Sequence, residues 1–504
     1  MSRSAVWGRA GVSARVWLAG VAALFGVVQV ALVADVPLGW DESIYASQTD
    51  PRRPALVFSA PRARGMSWLA APIQAVTGSP EALRIYLAVL ASLGLYAAYA
   101  VWLRVRPDGS VPLAALGLST LWVTVFYGPT TMPNVAIALA CVFATGALLC
   151  HALRLAPAWL PWAGGGAVGL ATLVRPGDVA PLVGALGVAV LAHPQWRRRA
   201  VRLLAPAAVG AAAGALPWLV EAQLRYGGIP ARVYRALSTQ GTGERFVPDY
   251  QLRALDGPIL CRPCVRADQP IPAFGVVLWV VGGALVVAAV WFALRARHTA
   301  RPGVTEATLM SAWVGGVLAF PYLFLVGYAA PRFMLPAYAL LALPVGQALH
   351  RLCTGRSGRV RVVPAAVVAI ALLAHSLVQY RVLEDVLAAQ TASRVRWVAV
   401  ADALAGRGVA PPCTLLGPSS PTVAYVAGCD AVTIKRHAGD EAYSLADLRA
   451  AVEREQVAVV LRGSEPRPDY TRGWAARGRR RSVERTSGRD GHTGSGRRTV
   501  RPTS

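Results

Sequence analysis

Asp41 and Glu42 stand together in the run PLGWDESIYASQ, where the first long apolar stretch of the chain ends. Adjacent carboxylates at a membrane edge have two ordinary uses. In the first, Asp41 caps a short helix beginning at Ser43, and Trp40 and Tyr45 supply the amphipathic rings favoured where a chain leaves a bilayer. In the second, one carboxylate points into a cavity and takes a proton from a hydroxyl, while its neighbour, on a different face, pairs elsewhere. The same connection carries Arg52, Arg53, Arg62 and Arg64 in DPRRPALVFSAPRARG. Guanidinium forks suit phosphate or pyrophosphate; solvated charges beside lipid headgroups are the alternative. Arg175 in LATLVRPGD and Arg332 in YAAPRFMLPAY stand at the ends of further apolar segments, where an arginine must snorkel or find a partner. Together with Tyr45, these residues outline a cavity for an anionic, lipid-linked substrate.

The elements that must position them are membrane helices. Hydrophobic residues make up 55% of the 504 and charged residues 15%, against about a quarter in soluble domains. About eleven apolar segments of near-spanning length can be placed, at residues 13–34, 82–102, 111–127, 133–151, 159–174, 177–192, 202–220, 272–294, 307–327, 333–349 and 361–380. The opening residues resemble a signal-peptide n-region, but the long apolar run and the lack of a small-x-small site before Asp35 point to a retained first helix. Basic residues orient the set. With the N-terminus in the cytoplasm, Arg104, Arg106, Arg154, Arg197 to Arg199, Arg202, Arg295, Arg297, Arg301 and those from Arg351 to Arg361 all fall inside, and the turn Gly128–Met132 outside carries no charge. The acidic pair is then extracytoplasmic. The net charge of +25 lies mostly in these turns and in a basic C-terminal tail, so it sets topology and gives no sign of a nucleic-acid partner.

Three regions follow: a membrane domain over 1–380, a small extracytoplasmic α/β appendage over 381–464, and an Arg/Gly/Ser-rich tail over 465–504 whose composition predicts disorder. Within the appendage, a helix is expected at 391–407, ahead of Cys413–Gly417, and a strand at Val457–Leu461. Ser444 and Asp447 supply capping geometry for an intervening helix. Cys261, Cys264, Cys413 and Cys429 fall on the oxidising side and are candidate disulfide cysteines. The CRPC spacing at 261–264 also occurs in redox dithiols and half metal sites, but no second CxxC accompanies it. Were a divalent cation to take part, Asp41 and Glu42 are the clustered carboxylates to hold it, with Asp50 farther along the loop, which leaves the metal unknown.

Four motifs in order carry a family resemblance: GWDESIYA, VFYGPTTMPNVAIALA, LATLVRPGD and PRFMLPAYALLALP. They resemble the GT-C glycosyltransferases that use polyprenyl-phosphate sugars, in particular the protein-mannosyltransferase and lipid-A-aminoarabinose-transferase branch, over residues 15–380. The resemblance implies a polytopic helical GT-C fold and sugar transfer outside the cytoplasmic membrane, from a polyprenyl-phosphate donor to a hydroxyl of a glycan, lipid or protein. It assigns Asp41 as general base, Glu42 as a second acidic residue that binds acceptor or supports the loop, and Arg332 and more weakly Arg175 as partners of the departing phosphate. Placing Arg62 and Arg64 there is a physical extension of the same idea. A single displacement would invert the sugar. A polytopic transporter or flippase of lipid-linked or anionic substrates is the rival, set back by the absence of a visible inverted repeat and by the acidic pair's place in a loop.

Overall fold

The first apolar run folds as α1 (Arg3–Val33), and the acidic pair opens the short helix α2 (Trp40–Ser47) directly after it. These elements come from a computed structural model, which describes residues 3–240, 248–255, 271–299, 301–354, 362–417, 420–434, 442–461 and 468–472. After α2 follow α3 (Gly65–Val76), α4 (Pro80–Ala100), α5 (Ser110–Ser119), α6 (Trp122–Tyr127), α7 (Pro133–Ala152), α8 (Leu160–Val174) and α9 (Pro176–Ala192). The chain continues through α10 (Ala200–Tyr226), α11 (Ile229–Gln240), α12 (Pro248–Arg253), α13 (Ala273–Arg295), α14 (Val304–Phe324), α15 (Leu335–Thr354) and α16 (Val362–Ala405). Among the described residues, eight helices are long and apolar enough to cross a membrane, and α5, α8 and α9 are shorter apolar helices. The protein is a multi-pass membrane protein.

Local sequence sets the breaks. Ser79 accepts a hydrogen bond from the Ala82 N–H, Pro80 takes the first helical position and Glu81 the first turn, so α4 begins with three N-terminal signals at once. The run expected as one segment over 111–127 is two helices, because Leu121 adopts an extended conformation between α5 and α6. Arg175 breaks the chain between α8 and α9, as a residue preceding proline tends to do. A 3-10 turn, Pro331–Met334, precedes α15. Both membrane-edge arginines therefore sit at helix breaks.

The central helix is α7, packed among α4, α8, α14 and α15; 83% of its apolar window is buried, against 11% for α13 and α16, whose apolar side chains face outward as lipid would require. The closest approach is between α8 and α10. A Cβ on Gly210 would lie 1.8 Å from the Gly165 carbonyl oxygen, and one on Gly214 would lie 2.1 Å from that of Gly169. Small residues four apart let the two backbones touch, which is how helices gain packing energy where lipid removes the hydrophobic drive.

Toward the C-terminus, α16 runs unbroken for 44 residues, about 66 Å at a helical rise. Residue 380 lies inside it, and the helix expected separately at 391–407 is its last part. Beyond it a parallel sheet forms from β1 (Cys413–Leu416), β2 (Asp430–Ile434), β3 (Ala442–Tyr443) and β4 (Gln456–Val459), in the order β3-β2-β1-β4. Helices α17 (Ser420–Ala427) and α18 (Leu445–Arg454) complete this small α/β region, and Ser444 and Asp447 bond each other's N–H groups at the start of α18. Cys413 and Cys429 are disulfide-bonded. Cys261 and Cys264 lie outside the described residues, as does most of the basic tail, of which 468–472 form a single turn.

Gly210→Ala is expected to lower the yield of monodisperse protein and its thermal midpoint in detergent. Gly187→Ala on α9, where a Cβ meets nothing within 4 Å, is the control and should leave both within error.

Candidate active site

Gly39 starts the site. Its backbone is extended, and a Cβ there would come 2.8 Å from an Arg394 nitrogen and 3.2 Å from the Glu42 carboxylate, so a side chain at this point would have to push the Arg394 guanidinium aside. Glu42 reaches back to accept the Gly39 N–H at 2.9 Å. The capping role open to Asp41 is therefore filled by Glu42, and the helix begins at Trp40, three residues before Ser43.

Glu42 is buried, with 2% of its surface exposed, between two arginines. Arg84 Nη1 lies 3.0 Å from Oε1, and Arg394 Nη1 lies 2.9 Å from Oε2. Arg84 is itself sealed in; it donates to the carbonyls of Val36, Pro37 and Pro129 at 2.6, 3.1 and 3.3 Å. Arg394 donates to the Pro37 carbonyl at 2.6 Å. Glu42 thus ties α2, the 36–39 linker, α4 and α16 into one charged knot. Burial alone would raise its carboxyl pKa, and Arg84 followed by Arg394 brings it below the ordinary value instead.

Asp41 points the other way and keeps a third of its side chain exposed. Arg62 Nη2 donates to Oδ1 at 2.6 Å, and Arg332 Nη2 stands 3.7 Å from Oδ2, an ion pair too long for a hydrogen bond. Here too burial pushes the pKa up, and Arg62, then Arg332, with a smaller contribution from Arg175, hold it below the usual carboxylate range. Arg62 also bonds the Ser59 hydroxyl and lies over the Trp40 ring at 5.1 Å. Arg332 Nη1 donates to the Tyr127 hydroxyl at 3.1 Å. Arg175 is oriented by Asp178 at 3.3 Å, with its guanidinium over Tyr322 and Phe333; the Tyr322 hydroxyl bonds Asp178 in turn. Tyr45 is buried, its ring edge-on to Phe58, and it feels the charges of Arg62, Asp41, Arg175 and Arg332; burial keeps its hydroxyl protonated well into alkaline pH.

The structure therefore brings together Asp41, Tyr45, Arg62, Arg175 and Arg332. It places Glu42 behind them, and it turns Arg64 away, onto Glu221 at 3.0 Å and over the Phe58 ring. Arg52 and Arg53 pair with the buried Asp50, which also accepts from the Tyr425 hydroxyl at 3.2 Å and so fastens the loop to α17. Sequence reasoning missed Arg84, Arg394, Asp178 and Tyr127. The available signal was that Arg84 lies in an otherwise apolar membrane helix, where a guanidinium must have a partner.

A divalent cation finds no ready donor set. Both carboxylates of the acidic pair are engaged by guanidinium groups, and the described residues hold no cluster of three or more His, Cys, Asp or Glu side chains. Apart from the charged site, a cavity of about 280 Å³ opens between α3, α4, α7 and α8, lined by Met66, Leu87, Leu90, Val135, Leu139 and Phe143 among others. It reaches Thr130 and Met132, in the turn whose Thr131 hydroxyl donates to the Glu42 carbonyl at 3.3 Å.

This arrangement of helices recurs in solved structures. ArnT from Cupriavidus metallidurans bound to undecaprenyl phosphate superimposes with a TM-score of 0.59 over 88% of this chain and 89% of its own, at 14% identity. The apo form gives 0.57 over 90% of each chain at 15% identity. An oligosaccharyltransferase from Archaeoglobus fulgidus, in complex with zinc and sulfate, gives 0.51 over 82% of this chain and 62% of its own, at 14% identity. The protein shares the fold of these structures. No protein-family model matches the sequence, and a search of curated proteins finds no match, so the likeness is one of architecture.

Replacing Glu42 by Ala leaves two buried arginines facing each other, and a loss of about 3–5 kcal/mol in unfolding free energy is expected, measured by denaturant titration in detergent. Asp41→Asn, at a partly exposed position, should cost less than about 1 kcal/mol in the same assay.

Proposed function

We propose that the protein is a membrane glycosyltransferase that moves a sugar from a polyprenyl-phosphate donor to a hydroxyl on an extracytoplasmic glycan, lipid or protein. The observation that carries this reading is the partly exposed Asp41 carboxylate set against Arg62 and Arg332 at the end of the first membrane helix of a GT-C fold. The positive-inside pattern puts that end outside.

The chemistry follows from the charges. The acceptor oxygen attacks the anomeric carbon as the bond from that carbon to the phosphate oxygen breaks. The bonding pair leaves with the phosphate, and the acceptor proton passes to Asp41, which Arg62 and Arg332 keep ionised. A sugar phosphodiester has one negative charge, and the departing monoester gains a second. Arg332 and Arg175, fixed by Tyr127 and by Asp178, are placed to stabilise that gain without reorganising. Tyr45 offers a protonated hydroxyl to the same group. A single displacement of this kind inverts the anomeric centre. The apolar cavity beside the Gly128–Met132 turn suits an isoprenoid chain, which would let the donor enter from the bilayer with its phosphate at the arginines. In this reading Glu42 supports the loop through Arg84 and Arg394 and takes no proton.

The test is release of polyprenyl phosphate from a polyprenyl-phosphate sugar by purified protein in the presence of acceptor. Asp41→Asn is expected to lower the rate by about 10²–10⁴-fold with stability retained, and Arg332→Met by about 10²–10³-fold. Full transfer by the Asp41 variant would remove the base from this scheme. Because Arg62, Arg332 and Arg175 hold the Asp41 pKa below the ordinary carboxylate value, the acid limb of the pH–rate profile should lie below that of a free aspartate, with activity falling as the carboxylate protonates. Arg62→Met raises that pKa, and the acid limb of the pH–rate profile should move to higher pH.

A further inference from the structure

The connection that carries Arg62 is held by a cluster the proposed chemistry does not use. Arg232, on α11, has no exposed surface. Its Nε donates to the Ala60 carbonyl at 3.1 Å and its Nη2 to the Arg62 carbonyl at 3.0 Å. Nη2 also meets Glu221 Oε2 at 2.9 Å, and Nη1 donates to the Trp218 carbonyl at 2.7 Å. The guanidinium lies over the rings of Trp218 and Tyr226 at 4.3 and 4.7 Å. Tyr226 in turn donates its hydroxyl to the Phe58 carbonyl at 2.7 Å, and the second oxygen of Glu221 accepts from Arg64. Residues 58–64 thus have three carbonyls and one side chain fastened to α10 and α11, although they contain no regular secondary structure before α3. Between Arg232's grip on its carbonyl and Arg64's bond to Glu221, the Arg62 side chain turns toward Asp41.

We propose that Arg232, held by Glu221, is a positioning residue: it fixes the 58–64 backbone so that Arg62 meets Asp41 and the donor phosphate, and it thereby sets the affinity of the site for lipid phosphate. The inference rests on the proposed donor. The physical case is geometric. A loop guanidinium reaches an anion productively only if its own backbone is held to a fraction of an ångström, and the buried planar fork of Arg232 serves three carbonyls and a carboxylate at once, four acceptors where an ammonium has three donors. Burying so large a cation is costly, and each of its three nitrogens bonds the loop, the end of α10 or Glu221.

The experiment measures binding of a short-chain polyprenyl phosphate to the full chain in lipid nanodiscs, for the wild type, Arg62→Met, Arg232→Met, Arg232→Lys and the double variant Arg62→Met/Arg232→Met. Arg62→Met and Arg232→Met are each expected to weaken binding by about tenfold or more, and the double variant by no more than Arg62→Met alone. Arg232→Met should also shift the acid limb of transfer in the same direction as Arg62→Met, which a general loss of fold would not do. Unchanged binding by Arg232→Met, or a double variant that loses the product of the two single effects, overturns the proposal. Should Arg232→Met fail to fold, Arg232→Lys and the double variant Arg62→Met/Arg232→Lys are read by the same additivity criterion. If wild-type protein binds no polyprenyl phosphate, the donor reading fails by itself. The clamp is then judged by hydrogen exchange at 59–64, which speeds up in Arg232→Lys if it is right and is unchanged if it is wrong.

Discussion

One buried carboxylate between two guanidinium groups sets the arrangement of the charged end of this molecule. Glu42 is the meeting point of α2, the proline-containing linker before it, α4 and α16: α4 and α16 reach it through Arg84 and Arg394, and the linker through the Gly39 N–H, while the linker carbonyls accept from the same arginines. A lone charge there would be expelled or neutralised; a carboxylate with two cationic partners and a backbone donor is tolerated. Because Glu42 occupies the third position of α2, fixing it also fixes the rotation of that helix. Asp41 is one residue earlier, about 100° around the helix, and so is turned out of the knot toward Arg62 and Arg332. Two neighbouring acids acquire opposite jobs from a single helical step.

The cationic side of the site shows a related economy. Arg175 and Arg332 come from places where membrane helices stop: the one before a proline that starts α9, the other within the turn that leads into α15. A broken helix puts a backbone hinge at the bundle end and lets a long side chain point along the axis rather than into lipid. Asp178 and Tyr127 each hold one guanidinium, Tyr322 bonds Asp178 in turn, and Arg332 also stands 3.7 Å from Asp41. Arg62, by contrast, comes from a loop and needs a scaffold of its own, which α10 and α11 supply.

Much of this was legible in the sequence because membranes impose harsh rules. Apolar runs of spanning length gave the helices nearly in place; Asp41, Arg175 and Arg332 stood out as charges at helix ends, and Arg62 as one of four arginines in the first long connection. What was not legible depended on which way side chains turn. Asp41 and Glu42 could not be separated by type; only the burial of Glu42 against Arg84 and Arg394 does so. Arg62 and Arg64, two residues apart, looked equivalent, yet the first faces Asp41 and the second Glu221, 157 residues farther along the chain. Arg394 was hidden by its setting, ASRVRWVAV, which reads as the surface of a helix in the appendage and gives no hint of a partner more than 350 positions earlier.

The 44-residue α16 carries a consequence of its own. It is at once a membrane span, the start of the path to the α/β region and the carrier of Arg394. An unbroken helix transmits phase: adding or removing one residue between its membrane portion and position 394 swings that guanidinium by about 100° and moves it by about 1.5 Å. Most length changes in that stretch would therefore point the arginine away from Glu42 while leaving the helix itself intact. Only changes near a whole number of turns, such as seven residues, would restore its bearing, and those would carry it about 10 Å along the axis. The spacer before that arginine is thus metered in both angle and height, and a segment that looks like a generic greasy rod is intolerant of most insertions.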